Sequence, residues 1–375
     1  MIHTINLYCT FSSLEIYNYT FTQLKNYVTY SQHNLHPDKN TKKNKTTYQY
    51  YKTDYFNDIG ISYINLCRYF GSKTGSYIEL IVNCPKLIYN GDETKLARND
   101  DYNILEEKFN HIIQHLNHRV FSSTLLPQLN GWQVRRIDYA FDIDTPFVND
   151  YICIFKKGYI PKGFSLKEYY DTSFHIKSKA CNYNFYNKTE ELDTKHQIHI
   201  SSNILRLEVQ CKADKIRKII NDYNIQDNFL YSLWNESIAK NVIAKAVNRV
   251  VGTYDFYPLN ILQDKIFDSD LTKSYKHYAW QLTKLLNNDV FNLSELSQII
   301  TASEDYKKDI IKEILHLHKK RSTEKHFNKI DATIAINKLN YSYAKSYLNK
   351  INLSPIALPK NCQIEYLPNP IKLIK

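Results

Sequence analysis

The chain has 375 residues, 43% of them hydrophobic, and a formal charge of +11. That length and apolar content are enough for a full core and two domains, which excludes a disordered tail protein. The charge suits a polyanionic partner without naming one, and the 32 tyrosines carry meaning only by position, because Lys, Asn, Ile and Tyr share A/T-rich codons and glycine is down to 8.

Residues 2–9 alternate Ile2, Thr4 and Asn6 against His3, Ile5 and Leu7, as an opening strand does. Residues 38–52 are polar and read as a loop or insertion, with Lys39, Lys42, Lys43, Lys45 and Lys52 among Tyr48, Tyr50 and Tyr51. Lys42 and Lys43 are candidates to clamp a nucleic-acid backbone; a solvated loop is the plain alternative. Residues 76–82 read as a strand with Glu79 inside an apolar run. Residues 103–118 fit a helix, with Leu105, Phe109, Ile112, Ile113 and Leu116 on one face. A strand at 134–144 follows, then a helix at 147–155, strands near 173–177, 183–188 and 204–211, and a helix from Ala213 with Ile216, Ile219 and Ile220 inward. Glycine is absent after residue 252, and amphipathic helical stretches at 272–287, 293–302, 304–320 and 332–350 precede a tail with Pro355, Pro359, Pro368 and Pro370. The expected fold is α+β: a mixed or antiparallel central sheet with helices on one face, followed by a smaller α-rich C-terminal domain. The expected division is 1–262 and 263–375.

Three of these strands gather polar groups on one face. In the first, Arg136, Asp138, Asp142 and Asp144 oppose Ile137, Tyr139, Phe141 and Ile143. In the second, Asn182, Asn184, Tyr186 and Lys188 share a face; in the third, Arg206, Glu208 and Gln210 oppose Leu205, Leu207 and Val209. Two readings stand: a half-buried sheet with a solvated face, or metal-assisted phosphodiester chemistry with a tyrosine nucleophile.

Other motifs are weaker. His36-Pro37-Asp38 matches the J-domain tripeptide, but its flanks do not make the helical hairpin that family needs. His316 and His318 lie in a helical pattern, where positions i and i+2 diverge, so they do not make a strand-borne metal pair. His196 and His199 read as surface histidines. His318 to Arg321 has tyrosine-recombinase spacing in the wrong context. No glycine-rich phosphate loop is present, so a nucleotide-driven motor is not expected. Cysteines at 9, 67, 84, 153, 181, 211 and 362 are odd in number and form no Cys-x-x-Cys pair, which fits a reducing compartment. No run approaches the roughly 20 apolar residues of a membrane span and no signal peptide is visible, so a cytoplasmic protein with no membrane association is expected.

The segments Arg136-Ile137-Asp138, Phe185-Tyr186-Asn187-Lys188-Thr189-Glu190-Glu191-Leu192 and Leu205-Arg206-Leu207-Glu208-Val209, in that order, resemble the replication initiation proteins of filamentous phages, the gene II/gene X family, with related plasmid initiators. The stretch from Glu79 to Leu87 is similar to a further segment, and Tyr275 to Tyr278 and the Tyr341–Ser354 stretch are weakly similar to the family's gene X-like region. The resemblance thus covers most of the chain. It implies a rolling-circle endonuclease that nicks one strand at the origin, forms a 5′-phosphotyrosine and a free 3′-OH, and later rejoins the displaced strand.

The family's nucleophile carries over to Tyr186, with Lys188 and Glu191 matching in the same segment. Its acids carry over to Asp138 and Glu208, and Glu79 stands in the further similar segment; these are hard oxygen ligands for Mg²⁺ or Mn²⁺. Lys188 is expected on the Tyr186 face, lowering its pKa or neutralising the phosphorane; Glu191 or Asp142 is the general base. Arg136 and Arg206 either grip flanking phosphates or pair with the carboxylates. Whether a second tyrosine, Tyr183 or Tyr139, takes part is open. The implied partners are origin DNA, as duplex replicative form and displaced single strand, and a host helicase and polymerase in a bacterial cell. The competing class is a non-catalytic origin-binding regulator or repressor.

Overall fold

The computed structural model describes residues 1–30, 36–37, 48–69, 75–166, 171–273, 348–359 and 362–374, with positions 276, 279, 280, 283 and 287 between them. The fold is α+β. In chain order the strands are β1 (Ile2–Thr10), β2 (His36–Pro37), β3 (Tyr48–Thr53), β4 (Ile61–Tyr69), β5 (Tyr77–Asn83), β6 (Gln133–Asp144), β7 (Ser165–Leu166), β8 (Ser173–Lys177), β9 (Cys181–Asn187) and β10 (Ile204–Lys212). The pairs β1–β5, β1–β6, β2–β3, β3–β4, β4–β5 and β7–β8 are antiparallel.

The chain divides into two compact units, and the division does not fall at residue 262. Unit 1 is Met1–Asp142, Ser178–Tyr183 and Leu207–Ile243; unit 2 is Ile143–Lys177, Asn184–Arg206 and Ala244–Lys375. Composition could not show this, because β6, β9 and β10 each begin in one unit and end in the other. The expected helices at 293–302 and 304–320, and most of 272–287 and 332–350, lie outside the described residues.

In unit 1 the strands run β2-β3-β4-β5-β1-β6, followed by this unit's parts of β10 and β9. Ile5, Leu7, Ile64, Leu66, Ile78, Leu80, Val82 and Ile137 are buried and form the apolar face. Helix α1 (Leu14–Tyr30) covers it: Tyr17, Leu24 and Val28 are buried, and the Phe21 ring lies 4.6 Å from Tyr51 of β3. Ser13 Oγ accepts from the Ile16 amide at 3.2 Å, satisfying one of the amides that a helix start leaves open. A short helix α2 (Cys84–Ile88) leads to α3 (Tyr102–His115), which buries Leu105, Phe109, Ile112 and Ile113 and sets Phe109 edge-on to Trp132 at 5.8 Å. His36–Pro37 is a strand paired with Tyr51 and Lys52, not a loop between helices, so the J-domain tripeptide is incidental.

Where the β4 strand begins, Gly60 adopts φ +93°, and a Cβ there would meet the Leu87 amide nitrogen at 2.7 Å. Gly91 has φ +99° with nothing within 4 Å. Gly60→Ala is therefore expected to lose about 3 kcal/mol, strain plus backbone displacement, and Gly91→Ala about 1 kcal/mol, strain alone. Denaturant midpoints of the two variants check the difference.

In unit 2, α4 (Val148–Lys157) buries Val148, Tyr151, Ile152, Ile154 and Phe155. Phe155 packs on Phe185 of β9 at 4.6 Å and Phe174 of β8 at 6.2 Å. The C-terminal segment is pinned, and it ends in a short helix at Pro370–Leu373 instead of running on extended. Leu367 pairs with Phe256, Tyr151 donates to the Pro368 carbonyl at 2.9 Å, and the buried Asn369 amide donates to the carbonyls of Gly252 and Tyr254. No helix among the described residues is long and apolar enough to cross a membrane.

Candidate active site

Two groups of side chains bear chemistry, one in each unit. The group in unit 1 depends on two bulges. The β1–β6 register runs Ile2 to Tyr139 and then Ile5 to Ile137, so His3 and Thr4 together oppose Asp138. It then runs Asn6 to Arg136 and Leu7 to Val134, which leaves Arg135 as the extra residue on β6. Simple alternation would have put His3 and Arg135 on the apolar side. Instead His3 Nδ1 lies 3.6 Å from Glu208 Oε2, and the Arg135 guanidinium lies 3.9 Å from Glu79 and donates to the Tyr77 hydroxyl.

Asp138 is 1% exposed. Arg136 holds both of its oxygens, Nε donating to Oδ1 at 2.8 Å and Nη2 to Oδ2. Burial pushes the Asp138 carboxyl up to about 7; Arg136 pulls it down, and the negative charge of Glu208 adds to the rise. Glu208, on the neighbouring strand β10, is 5% exposed. It accepts from Gln210 Nε2 at 3.0 Å; Asn182 Nδ2 donates to Gln210 Oε1, and Lys212 Nζ donates to Asn182 Oδ1, both at 2.9 Å. Glu79 accepts from Asn65 Nδ2 at 2.9 Å. The middle of β6 is thus no solvated face: Ile137, Asp138, Tyr139 and Ala140 are all buried.

Further along the same side of the sheet, Lys52 Nζ sits 4.5 Å from the Tyr63 ring centroid and Arg135 lies 4.9 Å from that of Tyr77. Tyr8 is edge-on to Tyr77 at 6.1 Å. Sequence reasoning missed His3 and Arg135 because a period of two cannot reveal an inserted residue. Of the expected DNA contacts, Arg136 is ion-paired, and Lys42 and Lys43 lie outside the described residues.

Arg206, in unit 2, is fully buried, away from any phosphate at the surface. In the same unit Tyr186 is half-buried on β9. The strand ends one residue later, because the Asn187 side chain accepts from the Glu190 amide at 3.1 Å and caps α5 (Lys188–Glu191). Lys188 therefore opens a helix instead of continuing the Tyr186 face. It is 2% exposed, with Nζ 3.0 Å from Glu191 Oε2. Both expected helpers of Tyr186 are thus engaged with each other. On β8, His175 Nδ1 lies 2.9 Å from Asn184 Oδ1 and its ring is 6.4 Å from the Tyr186 ring at an interplanar angle of 19°.

Asp138, Glu208 and Glu79 are the right donor types for a hard divalent cation. Their arrangement does not make a metal set: among the described residues no three of His, Cys, Asp and Glu come together to hold an ion, and Arg136 occupies Asp138. His199 pairs with Asp193 at the exposed surface, as expected of a surface histidine. His316, His318 and the recombinase-like spacing lie outside the described residues.

No family model matches the chain, and no curated protein does. Among solved structures, a rolling circle replication initiator protein from Geobacillus stearothermophilus matches with 11% identity and a TM-score of 0.32, over 67% of this chain and 84% of its own. At that TM-score the likeness bears no argument.

Proposed function

We propose that the chain is a rolling-circle replication initiator: a metal-dependent, site-specific DNA nickase and strand-joining transesterase. The observation that carries this reading is the pair of nearly inaccessible carboxylates, Asp138 and Glu208, on neighbouring strands of unit 1. Burying two like charges side by side is costly, and such pairs are enriched where chemistry is done. They stand in the segments that resemble the gene II/gene X family. The basic charge and the exposed Arg135 side chain add a surface suited to phosphates.

In this reading Tyr186 is the nucleophile. Its oxygen forms a bond to phosphorus as the bond from phosphorus to the 3′ oxygen breaks. The phenolic proton is lost to a base or solvent, and the leaving 3′ oxygen gains one. The phosphotyrosine keeps the diester energy, so a second transesterification by a 3′-OH reseals the strand without a nucleotide cofactor. The Lys188–Glu191 ion pair fixes the turn into which the nucleophile's strand runs. As arranged, Asp138, Glu208 and Glu79 do not make a set that would hold Mg²⁺ or Mn²⁺, so the proposed dependence on such an ion rests on the resemblance alone. The partners are origin DNA in duplex and displaced single-strand form, with a host helicase and polymerase, in a bacterial cytoplasm.

The second reading, a non-catalytic origin-binding regulator, is favoured by the two-point grip of Arg136 on Asp138, which a purely structural pair would also show. A covalent-adduct assay separates them. Supercoiled DNA carrying the replicon in which the gene lies is expected to be nicked with protein on the 5′ end in Mg²⁺ or Mn²⁺, and not in EDTA. Salt-dependent binding without nicking under any metal would leave the regulator.

A further inference from the structure

We infer that His175 is a positioning residue for Tyr186, an inference that rests on Tyr186 being the nucleophile. The amide of Asn187 donates to the Thr172 carbonyl at 3.0 Å. Counting back along β8 and β9 from that bond sets Asn184 opposite His175 and Ser173 opposite Tyr186. His175 and Tyr186 are therefore diagonal neighbours on one face, within reach of each other as ring pairs are. The contact is made: the two rings lie 6.4 Å apart and near parallel, at 19°, a separation at which aromatic pairs attract.

His175 is itself held. The Asn184 side-chain oxygen only accepts, so Nδ1–H donates to it at 2.9 Å, which fixes the tautomer and the plane of the imidazole. Behind both strands, Phe174 and Phe185 pack on Phe155, so their backbones are anchored from the other face. In-line attack tolerates little error in the direction of the phenol oxygen. The clamped imidazole limits that error by lying along the phenol ring. What it supplies is a flat surface, so another flat ring should serve in its place.

The test compares His175→Ala with His175→Phe in single-turnover adduct formation, on supercoiled DNA carrying the replicon in which the gene lies, with Mg²⁺. His175→Ala is expected to slow adduct formation roughly tenfold at saturating DNA, with DNA binding unchanged. His175→Phe is expected to recover to within about threefold of wild type. A His175→Ala rate equal to wild type overturns the proposal, as does His175→Phe being as slow as His175→Ala, which would instead make an imidazole nitrogen essential. A second readout needs no catalysis: a chain carrying 3-fluorotyrosine at position 186. Its fluorine resonance is expected to shift and sharpen in His175→Ala and to hold in His175→Phe; an unmoved resonance in His175→Ala also overturns the proposal. Failure of the nucleophile reading looks different: wild type then forms no adduct, or one that maps to another residue, while the resonance still responds.

Discussion

Tyr186→Phe is expected to reduce the protein–DNA adduct below detection while leaving DNA affinity within about fivefold, since one neutral contact is worth on the order of 1 kcal/mol or less. The substitution removes a single oxygen and keeps the ring that lies along His175. Without that oxygen no bond to phosphorus can form at this position, and no lesser nucleophilicity compensates. The neighbouring tyrosines are poor substitutes. Tyr183 is 2% exposed, and Tyr139 is buried with its hydroxyl donating to the Leu233 carbonyl at 2.8 Å. Burial also pushes the Tyr139 phenol well above its ordinary range, away from the phenolate. Gel separation of DNA-linked protein after nuclease digestion, followed by peptide mapping, reads the result. An adduct mapped to another residue in the variant would remove Tyr186 from the mechanism and keep the reaction class. Loss of DNA binding in the variant would show that the hydroxyl serves recognition instead.

Much of the sheet was legible because its strands obey simple periodicity. The polar-apolar alternation of β6 and β10 and the interrupted run of β5 locate those strands to within a residue or two. The helix over α3 follows from Leu105, Phe109, Ile112 and Ile113. What escaped has specific causes. Helix α1 carries Tyr17, Tyr19, Thr20, Thr22, Tyr27 and Val28, residues whose intrinsic preference is weak for helix, and it forms because Tyr17, Leu24 and Val28 find the sheet's apolar face. The Tyr48–Thr53 strand was hidden in a lysine-rich stretch whose composition reads as loop. Lys188 was misplaced by extending alternation one residue too far. There a local signal was available, since Asn187 followed three residues later by Glu190 is a helix-start pattern. His3 had no such signal: only the register with β6 reveals the bulge that turns it toward Glu208. The burial of Asp138 was equally invisible, because alternation identifies two faces but does not say whether the polar one is covered.

The Arg136–Asp138 pair yields the second large effect. Arg136→Met is expected to cost about 3 kcal/mol, because it leaves a 1% exposed carboxylate beside Glu208 without its bidentate partner. Asp138→Asn should cost less, about 1 to 2 kcal/mol, since the abandoned guanidinium is 29% exposed and keeps water on one side. The double variant is expected to fall short of the sum by about 1 to 3 kcal/mol, the coupling typical of residues in direct contact. Urea midpoints of the four proteins measure all of this. Activity then distinguishes what stability cannot. If Asp138 acts only as the counter-ion of Arg136, the double variant, having lost both charges together, should nick DNA nearly as well as its stability allows. If Asp138 is also a cation ligand, the double variant should fold and bind DNA yet form no adduct at any Mg²⁺ or Mn²⁺ concentration, because an amide in place of the carboxylate removes the charge that holds the ion. Additive stability losses would mean that the pair is not the unit its geometry describes. A double variant that folds and nicks normally would move the catalytic acids away from Asp138.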